Sequence, residues 1–394
     1  MGKRVLVAMS GGVDSSVAAA LLVAAGYEVI GLTMRLWTLE RPDLPRTHQS
    51  CCSVEDVDDA RQAAETLRIP HYVLNFEREF REGVVDYFVT EYARGRTPNP
   101  CLACNRVVKY DALLRRAKAL GADYVATGHY ARVERREGDY RLLRALDAAK
   151  DQSYVLYDLT QAQLGQILLP IGRHSKGEVR RMAREFGLPN ADKPDSQEIC
   201  FIPDGDYRGF VSERVQAPPG NIVDAAGNVR GRHRGLPYYT VGQRQGLGIA
   251  TGKPLYVIGL DTAANNVVVG ARDELLAPGL WASQACFVSG RPPAGSTEVR
   301  ARIRYRGPEA WARLTMVGGW CHLAFAEPQR AVTPGQAVVF YQGDEVLGGA
   351  TIEAVAREEA GLPAVSAHRA GLGTPSAGQS GVTHRARALQ EVTP

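Results

Sequence analysis

Along its first half the chain alternates short apolar runs with stretches of helical periodicity. Val5-Leu6-Val7-Ala8-Met9 has no polar break, as expected of a strand buried on both faces, and Val17-Ala18-Ala19-Ala20-Leu21-Leu22 follows with a helical pattern. Residues 28–32 and 71–74 read as further strands, 54–67 and 80–92 as helices, and 124–130 as a strand that delivers Gly128 and His129 to its end. Helical patterns return over about 105–120 and 176–186. Strand and helix in turn predict an α/β domain on a doubly wound parallel sheet, with ligands at the carboxyl ends of its strands. Near 216–220 the pattern changes: glycine, valine and turn pairs dominate, 233–244 reads as loop and short strand, and 280–355 carries strand patterns that predict a small β-barrel. The expected division is a catalytic domain over 1–205, a small β-rich domain over 206–279, a C-terminal barrel over 280–358, and a disordered tail over 359–394 where large apolar residues run out.

With 45% hydrophobic and 23% charged residues among 394, the chain reads as a soluble globular protein too long for one core. No apolar run reaches membrane-spanning length and the N-terminus lacks a signal-peptide pattern, so the cytoplasm is the expected compartment. A net charge of +4 is mild, which leaves any nucleic-acid partner to local basic patches. Residues 299–306 offer one, because Arg300, Arg302, Arg304 and Arg306 alternate with apolar or aromatic positions and fall on one face of a predicted strand. Like charges on one face repel, and a polyanion would relieve them.

The chemistry concentrates in a loop and a set of thiols. Ser10-Gly11-Gly12-Val13-Asp14-Ser15-Ser16 joins the first strand to the first helix, where glycines admit a ligand close to the backbone and the helix N-terminus favours an anion. It is neither the three-glycine dinucleotide fingerprint nor a Walker loop, and it resembles the pyrophosphate loop of the ATP pyrophosphatases, which cleave ATP between its α and β phosphates. Of seven cysteines, Cys286 and Cys321 lie in strand-like, buried contexts, while Cys51, Cys52, Cys101, Cys104 and Cys200 fall in the first half. Cys104 is expected beside the N-terminus of the helix over 105–120, a place that favours the thiolate. A structural zinc needs four ligands, and no second Cys-x-x-Cys or His pair accompanies Cys101 and Cys104.

Six motifs occur in order: the Ser10 to Ser16 loop, Asn99-Pro100 with Cys104-Asn105, Ala126-Thr127-Gly128-His129-Tyr130, Asp151-Gln152-Ser153-Tyr154, Ile199-Cys200-Phe201-Ile202, and Gly242-Gln243-Arg244 with Gly246-Leu247. From about residue 3 to 355 the chain resembles the bacterial tRNA-specific 2-thiouridylases, whose catalytic domain is Rossmann-like. The resemblance implies an enzyme that adenylates the O2 of the wobble uridine, position 34 of tRNA, with ATP and Mg²⁺ and replaces it by sulfur. It assigns ATP to Ala8, Met9, Ser10, Gly11, Gly12, Val13, Asp14, Ser15, Met34 and Gly128. Cys200 would carry a persulfide loaded by a sulfur donor protein (a persulfide carrier or a cysteine desulfurase), and Cys104 would release the sulfur by forming a disulfide with Cys200. Asn99, Pro100, Cys101, His129, Lys150, Asp151, Gln152, Arg304, Tyr305 and Gln342 match positions that contact tRNA. The chain departs from many relatives in carrying Cys101 where they have Asp, and Cys101, Cys104 and Cys200 could instead ligate a [4Fe-4S] cluster. A small-molecule amidoligase and a non-catalytic RNA-binding protein are the rival readings; the three thiols and the intact loop respectively count against them.

Overall fold

The computed structural model describes residues 2–37, 54–195, 199–202, 204–249 and 252–356. Cys51-Cys52 and the expected tail lie outside them. Five parallel strands form the first sheet in the order His71–Asn75, Glu28–Arg35, Arg4–Ala8, Tyr124–Ala126, Ile167–Leu168. Successive side chains of the central strand face opposite ways, so Val5 and Val7 enter one core while Leu6 and Ala8 enter the other. This double burial is why the strand has no polar position. Helices Val13–Ala24, Val54–Thr66 and Lys176–Glu185 cover the first face. Two rods cover the second, over 77–93 and 100–119, and each contains a π-helical stretch, Arg81–Val85 and Cys104–Ala112. The two stretches pack where Gly83 leaves room; a Cβ there would lie 2.6 Å from Val107 Cγ1. The chain first builds outward from Arg4–Ala8 on one side, then returns to its other side at Tyr124–Ala126, and the reversal opens a crevice at the carboxyl ends of these strands.

Helix Tyr207–Ser212 leads into a four-stranded sheet ordered Tyr256–Asp261, Asn266–Gly270, Gly220–Asp224, Val229–His233, with its own small core around Ile222, Val257 and Val267. The short strand expected within 233–244 is displaced: His233 ends it, and a 3₁₀ turn at Leu236–Tyr238 follows. The third sheet starts at Leu276, and its strand Leu276–Phe287 pairs with both Trp320–Arg330 and Glu345–Ala356, closing a barrel that also includes Ser296–Arg302, Glu309–Val317 and Ala337–Gln342.

A hairpin from the first domain, Ala131–Arg136 and Asp139–Arg144, joins the edge of this sheet through Glu345 opposite Leu143. The barrel strand Ala337–Gln342 is therefore buried on both faces: Val338 and Phe340 fill the barrel, while Val339 and Tyr341 pack with Tyr110, Leu142 and Tyr154 of the first domain. No described helix is long and apolar enough to cross a membrane.

The four-arginine strand face is corrected. The strand stops at Arg302, and Arg300, Arg302 and Arg304 find partners within the chain. Glu309 takes Arg144 and Arg302 at 2.6 Å each and lies 3.8 Å from Arg300, while Arg304 donates to the carbonyl of Ala331 at 3.0 Å and to Thr333 Oγ1 at 3.2 Å. Internal acceptors thus take up the charge of Arg300, Arg302 and Arg304.

Candidate active site

Gly11 adopts a φ of +75°, and a Cβ there would sit 2.2 Å from the Asp56 carbonyl oxygen, so only glycine lets the loop lie this close to the next helix. Across the crevice, a Cβ on Gly128 would sit 2.6 Å from the Ser15 backbone nitrogen. At both places backbone lies against the backbone of a helix with no room for a side chain. Ser15 Oγ accepts from the Ser10 N–H at 3.1 Å and donates to the Gly12 carbonyl at 3.1 Å, curling the loop around its own serine. Asn190, buried behind it, donates to the Gly11 carbonyl and to Ser16 Oγ at 2.9 Å each. Met9, at the end of the first strand, donates its N–H to the Leu32 carbonyl at 2.8 Å and accepts from Thr33 Oγ1 at 2.8 Å, which places Met34 one residue beyond that bond on the neighbouring strand.

Asp14, in the first turn of the helix, accepts from Tyr130 Oη at 2.8 Å and from Lys176 Nζ at 2.8 and 2.9 Å. Lys176 also meets Asp195 at 2.6 Å, and Asp195 meets Lys150 at 2.7 Å. Burial raises the Asp195 carboxyl, but the hydrogen bonds from Lys150 and Lys176 outweigh it and hold the group below its ordinary value. His129 lies beneath this rim, bonded through Nδ1 to Tyr110 Oη at 2.9 Å and to Thr127 Oγ1 at 2.8 Å. Its burial depresses the imidazole well below its ordinary value, so it is neutral at neutral pH.

The helix carrying the first thiols begins earlier than expected. Asn99 is its N-cap, accepting from the Cys101 N–H at 3.0 Å, and Pro100 takes the first position, so the helical stretch runs over 100–119 and Cys104 lies in its second turn. The expectation that Cys104 adjoins the N-terminus is therefore corrected; Cys101 holds that place and is exposed, whereas Cys104 is buried and opens the π-helical stretch. Cys200 is half-buried and belongs to the same core cluster as Cys104. Its neighbour Phe201 makes edge contacts with Phe80 and Phe88 at 5.7 and 5.3 Å between ring centres, so the thiol stands on a fixed anchor.

The remaining tRNA-matching positions converge from three segments. Gln152 Oε1 accepts from the Tyr130 N–H at 2.9 Å, and its side chain bonds Tyr305, which packs against Tyr154 at 5.8 Å. Burial raises the Tyr305 phenol above its ordinary value, the Gln152 hydrogen bond opposes this, and an ionised Cys101 would add to the rise. Asp151 is buried and turned inward, accepting from the Ala145 N–H at 3.1 Å and from Ser153 Oγ at 3.0 Å, with Arg302 3.6 Å away. Gln342 is exposed at the end of its strand. Sequence reasoning missed Asn190 and the roles of Lys176 and Asp195. They are 162 to 181 residues from Asp14 along the chain, and only a folded sheet brings them to the loop.

The loop at the strand-order reversal and the helices over both faces define an α/β nucleotide-binding protein of the HUP class. Residues 3–204 match the family model of the tRNA methyl transferase HUP domain, 208–271 that of the tRNA methyl transferase PRC-barrel domain, and 278–352 that of the aminomethyltransferase β-barrel domain. The tRNA-specific 2-thiouridylase MnmA of Carboxydothermus hydrogenoformans is 54% identical over 89% of this chain and 98% of its own length, and that of Moorella thermoacetica is 54% identical over 89% and 100%. The chain belongs to the tRNA-specific 2-thiouridylase family. Among solved structures, a 4-thiouridine synthetase–RNA complex with bound ATP covers 54% of this chain and 50% of that chain at 17% identity with a TM-score of 0.33, too distant to add to the argument.

Proposed function

We propose that this chain is a tRNA-uridine 2-sulfurtransferase: it activates the O2 of a tRNA uridine with ATP and replaces it by sulfur. The observation that carries the reading is identity of 54% extending over 98% of a 2-thiouridylase, through all three domains. At finer grain, the uridine is the wobble base at position 34, turned out of its stack toward Asn99, Pro100 and Cys101. ATP lies along Ala8 to Ser15 with its adenine toward Met34 and Gly128, and the pyrophosphate departs at the helix N-terminus. Mg²⁺ enters with the triphosphate as an ion that keeps several waters and needs few protein carboxylates. Cys200 carries the persulfide supplied by a donor protein. Its terminal sulfur attacks C2, AMP leaves with the former O2, and the Cys104 thiolate attacks Cys200 Sγ, so that the C2-bound sulfur is released as the thiocarbonyl and a Cys104–Cys200 disulfide remains for an external thiol to reduce. The half-exposure of Cys200, its Phe201 anchor and its place in the Cys104 cluster support this assignment.

The [4Fe-4S] alternative needs Cys101, Cys104 and Cys200 together. Among the described residues no group of three His, Cys, Asp or Glu side chains is placed to hold a metal ion, and no step is assigned to a cluster. Stoichiometric iron with acid-labile sulfide in anaerobically prepared protein would replace the persulfide route. The thiol roles are tested with Cys104→Ser and Cys200→Ser. Each is expected to abolish 2-thiouridine formation while tRNA-dependent conversion of ATP to AMP persists; normal thiolation by Cys200→Ser would overturn the scheme.

A further inference from the structure

The first turns of the thiol-bearing helix hold a Cys-x-x-Cys pair of which the sulfur scheme uses one member. Cys101 is exposed in the turn that Asn99 caps, and Cys104, three positions on, is 7% exposed. Three residues along a helix separate two Cα atoms by about 5 Å, within the span that a disulfide bridges. The backbone is already tight here. The Cys104 N–H donates to the carbonyls of both Pro100 and Cys101, and the second bond is of the 3₁₀ kind, in which side chains three apart eclipse. A helix N-terminus also favours the thiolate, the form that attacks in thiol–disulfide exchange.

A disulfide between Cys104 and Cys200 is poorly placed for reduction. One sulfur is buried and the other half-buried beside the Phe201 anchor, so neither offers a protein reductant the approach that Cys101 does. Cys101 stands within electrostatic reach of Tyr305, among the tRNA-matching positions, so on the tRNA reading above substrate covers this thiol and product release uncovers it. A relay asks each thiol to meet one neighbour. It does not need the three-fold convergence of a metal cluster, which is absent among the described residues.

We infer that Cys101 recycles the enzyme by drawing the oxidised bond out to the surface. After tRNA leaves, the Cys101 thiolate attacks Cys104 Sγ, the Cys101–Cys104 bond forms, the Cys104–Cys200 bond breaks, and Cys200 departs as a thiolate ready for reloading. Cys101 gives its proton to solvent and Cys200 is able to take one up, so the exchange itself needs no oxidant or reductant. A dithiol reductant protein then supplies two electrons and two protons to the exposed disulfide. The inference rests on the persulfide route above.

The test maps disulfides in the full chain after one turnover. Persulfide-loaded protein is mixed with ATP, Mg²⁺ and tRNA without reductant, alkylated with iodoacetamide and digested unreduced with trypsin. Cys101 and Cys104 fall in one tryptic peptide, 97–106, and Cys200 in another, 185–208. The expected product is peptide 97–106 lighter by two hydrogens, with Cys200 alkylated. The two peptides joined to each other in the wild type would overturn the inference and leave the persulfide route standing. In Cys101→Ser they should be joined, and thioredoxin should reduce that bond more slowly than it reduces the wild-type disulfide, by about tenfold or more; equal rates would count against the relay. No disulfide of either kind beside newly formed 2-thiouridine would fail the persulfide route and the relay with it. Cys200→Ser needs no turnover: equilibrated with oxidised and reduced dithiothreitol, it should still close the disulfide within 97–106, and failure to do so at every ratio would contradict the pairing.

Discussion

At the scale of the residue, the site works by closeness of backbone and by buried polar groups. Gly128→Ala places a methyl group against the Ser15 nitrogen, at 2.6 Å in the present geometry, and must push the Ser-Gly-Gly loop and its helix away. ATP affinity is expected to fall by about tenfold or more while tRNA affinity in a filter-binding assay is unchanged. His129 makes a prediction about stability. Burial holds its imidazole well below its ordinary value of 6.5, so the unfolded chain takes up that proton first as pH falls. The stability linked to it is complete above about pH 6.5 and declines below, on the way down to the folded value. His71, also depressed by burial, shares this direction. The melting temperature should therefore drop between neutral pH and about pH 5, and His129→Gln should flatten the fall; an identical slope in the variant would contradict the assignment.

At the scale of the element, some structure was written locally and some was not. The central strand is apolar at every position because both its faces are buried, and the Ser-Gly-Gly turn is a contiguous motif, so both were legible from the chain. The start of the thiol-bearing helix was readable too, in Asn99 as cap and Pro100 at the first position, and was overlooked in favour of the later periodic run. The π-helical stretches leave no comparable trace, since they depend on two rods meeting at Gly83 and Val107. The hairpin over 131–144 had a signal in its two-residue turn, where Glu137 and Gly138 adopt φ of 52° and 95°, but its seven arginine and glutamate residues hid the alternation. Asn99→Ala tests the helix start: loss of the cap to the Cys101 N–H should cost about 1 kcal/mol in chemical denaturation and reduce thiolation more than ATP binding.

At the scale of the whole molecule, the barrel is part of the active site's support. Arg96 pairs with Glu91, near the end of the helix that precedes it, at 2.6 Å and with Glu353 of the barrel, the Thr97 N–H donates to the Pro334 carbonyl at 2.9 Å, and Gln336 Nε2 donates to the Thr97 carbonyl at 2.8 Å. These contacts fix the chain just before Asn99-Pro100-Cys101, so the barrel positions the segment proposed to receive the flipped base. Glu353→Gln should lower stability by about 1–3 kcal/mol, because Arg96 keeps its charge in a partly buried place with one partner fewer. Thiolation should suffer in that variant while ATP affinity holds.

The most direct measurement is nucleoside mass spectrometry of tRNA incubated with iron-free protein, ATP, Mg²⁺ and a persulfide donor, with AMP formation followed in parallel. The account predicts 2-thiouridine together with tRNA-dependent AMP. AMP without a thiolated base, or a methylated nucleoside in its place, would contradict it.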